Sequence, residues 1–99
     1  MATYIMLSQL SPDGANTLLE NPERLKQVNA EVEGMGAKVL AQYAVLGPYD
    51  FVTILESDDA PSMSTVALQL GARGTLKTIT LAAVPVDEFI ANVKKATSG

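Results

Sequence analysis

The sequence predicts an α+β domain with element order β-α-β-β-α-β and a short C-terminal helix, its four strands forming one antiparallel sheet. Three observations predict it. Four β-rich runs are bounded by turn residues. Two stretches between them repeat apolar residues at helical spacing. Finally, the strands carry apolar side chains on both faces, although two crossover helices can cover only one.

The first strand is Thr3 to Gln9 (TYIMLSQ), which is β-rich and runs into the turn signal Ser11-Pro12-Asp13-Gly14. The stretch from there to Asn21 reads as a short helical turn or loop. Asn21-Pro22-Glu23 reads as a helix start, because Asn caps, Pro suits the first helical position and the acid complements the helix dipole. Leu25, Val28, Val32 and Met35 then fall on one helical face, and Gly34 and Gly36 end the helix. Ala37 to Leu46 and Tyr49 to Glu56 read as two strands joined by a hairpin, with only Gly47-Pro48 between them. Asp58-Asp59-Ala60-Pro61 opens a second helix whose Met63, Val66, Ala67 and Leu70 share a face. Thr75 to Val84 is a Thr-rich fourth strand. Val86, Phe89, Ile90 and Val93 mark one face of the closing helix, with Lys94 and Lys95 at the end where cations help.

This order is the split-βαβ, ferredoxin-like arrangement. In its third strand Tyr49, Phe51, Thr53 and Leu55 point one way and Val52 and Ile54 the other. Ile5 and Leu7 oppose Tyr4 and Met6; Ile79, Leu81 and Ala83 oppose Leu76, Thr78, Thr80 and Ala82. One face is therefore left apolar without a helix. Burying a few hundred Å² of apolar surface is worth several kcal/mol at about 25 cal/mol per Å². The expected solution is packing of two sheets about a two-fold axis; the alternative is a face that Thr and Ala make tolerably wet.

Four motifs in fixed order now stand together: Pro22-x-Arg24, Gly36-x-Lys38-Val39, Gly47-x-Tyr49-Asp50, and Gly74-x-Leu76-x-Thr78-x-Thr80-Leu81-x-Ala83. The chain resembles the GYD-domain family, small bacterial and archaeal proteins named for the Gly-Tyr-Asp signature, from Tyr4 to about Lys94. Pro48, at a spacer position between Gly47 and Tyr49, stiffens the turn. The resemblance implies a single GYD-like domain over residues 1–99 that assembles as a dimeric α+β barrel. It implies no reaction, and fold is not activity.

Composition limits the chemistry. There is no Cys and no His, which removes disulfides, thiolate nucleophiles, Cys zinc sites, imidazole bases and Ser-His-Asp triads. Acid–base work falls to carboxylates, Tyr or Lys, and no metal or cofactor is expected. The net charge is -4, and the seven Lys and Arg are scattered, so neither nucleic acid nor an anionic membrane is expected as a partner. An RNA-binding module of the same strand order would need basic charge and exposed sheet aromatics. No apolar run reaches the roughly 18 residues of a membrane span, and the N-terminus lacks a signal-peptide pattern, so the expected location is the cytoplasm.

The candidate ligand-binding residues are Tyr49, Asp50, Arg24 and Thr78. Asp50, at the mouth of the apolar run Phe51–Leu55, either accepts backbone N–H bonds beside the turn or pairs with Arg24, or is a ligand anchor with a perturbed pKa. Tyr49 either packs with its hydroxyl bonded or joins such a site. Arg24 either meets a carboxylate or is a solvated helix residue. Thr78, Thr80, Ser8 and Gln42 are strand residues by preference, or the polar wall of a cavity between sheet and helices. Asp58 and Asp59 are capping residues rather than a cation site, and the four Met are gap fillers.

Two functions stay open. The first is a cytoplasmic homo-oligomer that binds a small molecule or a protein partner. The second is a cofactor-independent enzyme of isomerase or monooxygenase type. The second requires an apolar cavity of a few hundred Å³ between sheet and helices, with Tyr49, Asp50 or Arg24 at its wall.

Overall fold

A computed structural model describes residues 1–98. The chain runs β1 (Ala2–Leu10), α1 (Pro12–Glu20), α2 (Arg24–Gly34), β2 (Lys38–Ala44), β3 (Phe51–Ser57), α3 (Ala60–Ala72), β4 (Leu76–Ala83) and α4 (Val86–Thr97). The four strands form one antiparallel sheet in the order β2-β3-β1-β4. This is the α+β, ferredoxin-like arrangement that the sequence predicts.

Strand register sorts the side chains into two faces, since partners directly opposite in an antiparallel pair point the same way. Tyr4 sits between Leu55 and Ala82, Met6 between Thr53 and Thr80, and Ser8 between Phe51 and Thr78. These rows face the helices. Tyr4, Met6 and Leu55 form the core with Val32 of α2 and Met63, Val66 and Leu70 of α3. Those apolar positions on α2 and α3 fall where helical periodicity places them. On the reverse face, Ile5 lies between Ile54 and Leu81, and Leu7 between Val52 and Ile79. No helix covers that block. Ile79 and Leu81 are each 46% exposed, and Tyr43, paired with Val52 on the same face, is 60% exposed.

Four local departures from the sequence reading have identifiable causes. The segment before Asn21 is a full helix, α1. Ser11 caps it by accepting the Gly14 N–H at 3.1 Å, and Pro12 occupies the first helical turn. The Ser-Pro pair is a helix start as well as a turn signal. Gly14 is buried here because α1 crosses the sheet end closely: a Cβ at this position would overlap the Thr75 carbonyl oxygen.

Asn21 ends α1 rather than capping α2. It closes the first helix through its N–H to the Thr17 carbonyl, and α2 begins at Arg24 without a side-chain cap. The β2–β3 hairpin is also longer than expected. The last paired residues are Ala44 and Phe51, and the Val45 N–H to Asp50 carbonyl bond of 2.8 Å closes the loop. Gly47 has φ +111°. Pro48 is held near -65° and cannot supply the second positive φ of a type I′ turn, so the chain opens into a six-residue connection. Finally, a bulge between Val39 and Ala41 turns Leu40 out of the ladder.

The closing helix forms as predicted but does not close anything. No residue of α4 is buried, and the helix makes no substantial contact with the sheet or the other helices. The radius of gyration is 15.5 Å, against about 13 Å for a compact chain of this length. Val86, Phe89, Ile90 and Val93 therefore form an open apolar stripe.

Candidate functional site

A cavity of about 300 Å³ lies between the helix-side face of the sheet and the α1–α2 corner. Its floor is Ser8, Leu10, Phe51, Thr53, Leu55, Val39 and Gln42 from three strands. Its roof is Leu18 of α1 with Leu25, Val28, Asn29 and Val32 of α2, and Leu70 and Arg73 close the α3 end. The strand rows beneath it carry the small hydroxyls of Ser8 and Thr53 where a filled core would carry larger aliphatic groups.

One side of the wall is polar and largely self-satisfied. Asn29 Nδ2 donates to Gln42 Oε1 at 2.7 Å, Gln42 Nε2 returns a bond to Asn29 Oδ1 at 3.3 Å, and it donates to Thr53 Oγ1 at 3.0 Å. Two cations line the cavity, Arg24 at the start of α2 and Arg73 at the C-cap of α3. Glu31 lies between them. Arg73 donates to Glu31 Oε2 at 2.7 Å, whereas the two contacts of Arg24 with Glu31 Oε1 are 3.4 and 3.5 Å. The Arg73 hydrogen bond holds the Glu31 carboxyl below its ordinary range; the Arg24 and Arg73 charges add to that, and partial desolvation opposes it. All three side chains remain about one-third exposed, which marks them as a rim rather than a floor.

Of the residues singled out in the sequence, Arg24, Ser8 and Gln42 meet in this cavity. Thr78 shares the Ser8–Phe51 row on the helix-side face but does not line it. Thr80 lies one row further along, and its hydroxyl is buried without a hydrogen-bond partner among the described residues. Tyr49 is half-buried in the β2–β3 connection and lines neither this cavity nor the second depression.

Asp50 does not pair with Arg24. Its Oδ2 accepts the Leu10 N–H at 2.8 Å, and its own N–H donates to the Ser8 carbonyl at 2.8 Å. Asp50 thus ties the loop to the end of β1. A more open depression lies beside it, lined by Gln9, Pro48, Asp50, Gly74 and Lys77 among others. Gln9 donates to the Pro48 carbonyl across that depression. Asp59 caps α3, accepting the Ser62 N–H at 2.9 Å, and this bond lowers its pKa. Among the described residues no cluster of three or more acidic groups could hold a metal ion.

Arg73, Glu31, Asn29 and Thr53 were not singled out. Signals for two of them lie in the sequence. Asn29 sits at i+4 from Leu25 on the apolar face of its helix, and Thr53 interrupts the apolar run of β3. Each is a polar residue at a core position, which requires a partner. The meeting of Arg24 with Arg73 has no local signal, since it depends on where α3 ends relative to α2.

Comparison with known proteins adds identity to the geometry. A family model described as the GYD domain matches residues 4–93. The chain is 54% identical over 95 residues to the "glutamine synthetase and cystathionine beta-lyase binding protein" of Thermus thermophilus, covering 95% of this chain and 100% of that one. Two solved structures share the fold. FFRP-DM1 superposes with a TM-score of 0.58 at 21% identity, over 85% of this chain and 100% of that one. TTHA0845, also of Thermus thermophilus, gives 0.55 at 24% identity, over 86% and 95%.

Proposed function

The chain belongs to the GYD-domain family, and from that premise we propose that it is a cytoplasmic homo-oligomeric protein that binds other proteins, metabolic enzymes among them. The observation that carries this reading is the helix-free sheet face with its aliphatic block Ile5, Leu7, Val52, Ile54, Ile79 and Leu81. Such a block on a water-facing sheet is what a second sheet would cover, in a two-fold interface of roughly 800 Å² per partner. The open stripe of α4 supplies further apolar surface to the assembly. The relative at 54% identity is named for binding glutamine synthetase and cystathionine beta-lyase, and its full length is matched, so the same class of partner is the natural candidate here. The expected location is the cytoplasm.

The enzyme reading gains a cavity of the required size with Arg24 at its wall. The wall does not supply a base. Its polar groups are hydroxyls, amides and two guanidiniums, none of which takes a proton near neutral pH. Tyr49 and Asp50 lie elsewhere, and the Glu31 carboxylate at the rim is engaged by Arg73 and Arg24. The arrangement supports binding over proton transfer.

Native mass spectrometry of the purified chain, alone and then mixed with purified glutamine synthetase or cystathionine beta-lyase, tests the proposal. A dimer or a multiple of dimers that forms a complex with either enzyme is the expected result. A monomer at micromolar concentration that binds neither would overturn it.

A further inference from the structure

We infer that the cavity beneath α1 and α2 is a binding site for a small monocarboxylate with an apolar body, whose carboxylate is taken by Arg24. This site is separate from the protein-binding surface proposed above and does not depend on it: the cavity lies on the helix side of the sheet and the aliphatic block on the other.

The size comes first. At about 30 Å³ per atom-sized group, taking water as the yardstick, a 300 Å³ space holds roughly ten non-hydrogen atoms. The character of the wall comes next. Leu25, Val28, Val39, Phe51 and Leu76 give a predominantly apolar lining. The amide and hydroxyl groups of Asn29, Gln42 and Thr53 spend their bonds largely on one another. They place little demand on a ligand, so its body is apolar.

The charge is decided at the rim. Two guanidiniums face one carboxylate there, leaving a net positive charge of one. The pairing is also unequal. Arg73 holds Glu31 at 2.7 Å, a full charge-assisted bond, while Arg24 stands 3.4 and 3.5 Å from the same carboxylate. Bonds of that kind run about 2.7–2.9 Å. Arg24 also reaches Gln27 at 3.3 Å, again a long contact. Its planar fork is therefore the more loosely engaged donor at the cavity mouth, of a shape that matches a carboxylate bidentately. Arg73 acts as a positioning residue. By holding one oxygen of Glu31 closely, it leaves Arg24 only loosely paired through the other.

The test uses the full chain and three probes followed by calorimetry and by amide shifts in NMR: phenylacetate, which has about the right size, phenylacetamide, which lacks the charge, and acetate, which lacks the body. Phenylacetate is expected to bind at least tenfold more tightly than either of the others, with shifts at Leu25, Val28 and Asn29. Arg24→Gln is expected to weaken phenylacetate binding at least tenfold. Arg73→Gln frees Glu31 to pair with Arg24 and is expected to weaken it as well. Glu31→Gln removes the competing anion and is expected to strengthen it several-fold. All three side chains are partly exposed, so these variants should fold. Equal affinity for phenylacetate and acetate, equal affinity for phenylacetamide, or weaker binding in Glu31→Gln would each overturn the inference. The mass of the assembly, read on the same samples, reports on the oligomer separately.

Discussion

The two faces of the sheet invert the usual arrangement. The face under the helices carries Ser8, Gln42, Thr53, Thr78 and Thr80 beside its apolar core, while the face without helices carries a continuous block of Ile, Leu and Val. A sheet with one wet face would place these groups the other way round. The difference teaches what each face is built against. Hydroxyls and amides on the covered side leave a space that the core does not fill. Aliphatic groups on the uncovered side make a surface that water covers poorly, and a second protein surface suits it better.

The comparison breaks most sharply on the aliphatic side. Ile54→Asp puts a charge at the centre of the block, between Ile5 and Ala41. The expected outcome is complete loss of self-association at micromolar concentration, with the circular dichroism of the folded subunit retained. An oligomer that survives this change would place the interface elsewhere. On the helix side the same strand gives the opposite result. Leu55 is 1% exposed in the core, and Leu55→Ala should cost about 2–5 kcal/mol in urea unfolding of the subunit.

Smaller effects test the polar elements at the sheet end and on the covered side. Asp50→Ala removes the acceptor for the Leu10 N–H and should cost roughly 1.5–3 kcal/mol, the worth of a hydrogen bond to a charged group. Asp50→Asn keeps an acceptor oxygen and should cost less, so the ratio of the two reports how much of the bond is charge. Thr53→Val keeps shape but takes an acceptor from Gln42, for an expected loss of about 0.5–1.5 kcal/mol.

The smallest effect is acid dependence at the rim. The folded pKa of Glu31 lies below its ordinary 4.5, so its pairing contributes in full above about that pH and is lost as pH falls through the folded value. Urea titrations of wild type and Glu31→Gln should therefore converge as the pH is lowered below 4.5. Exposure and screening keep this contribution slight at any pH.

Legibility differed between elements for local reasons. α2 and α3 are readable because their apolar residues recur every three or four positions and stop at glycines. β1, β3 and β4 are readable because alternation places Ile5, Val52 and Ile79 on one side and Met6, Thr53 and Thr80 on the other. α1 is not, since Ser11-Pro12-Asp13-Gly14 serves a turn and a helix start equally well, and the choice falls to the packing of Gly14 against Thr75. The β2–β3 connection is misread because Gly-Pro resembles a two-residue turn until the fixed φ of Pro48 is weighed.

Among the candidate residues, Arg24 lines the cavity, and neither it nor Asp50 takes the other as its partner. Asp50 spends its carboxylate on a backbone N–H forty positions away, and Arg24 and Arg73 meet over Glu31 across two helices. What the sequence determined by itself was periodic: element order, the sorting of side chains to faces, and the surplus of apolar residues on one of them. Those follow from repeats of two and of three to four residues, which need no knowledge of distant contacts. Only the tertiary structure decided the cavity, its unequal arginine pair and the free-standing α4. Each depends on the relative placement of elements far apart in the chain, and that placement is set by packing of the whole core rather than by any local run of residues.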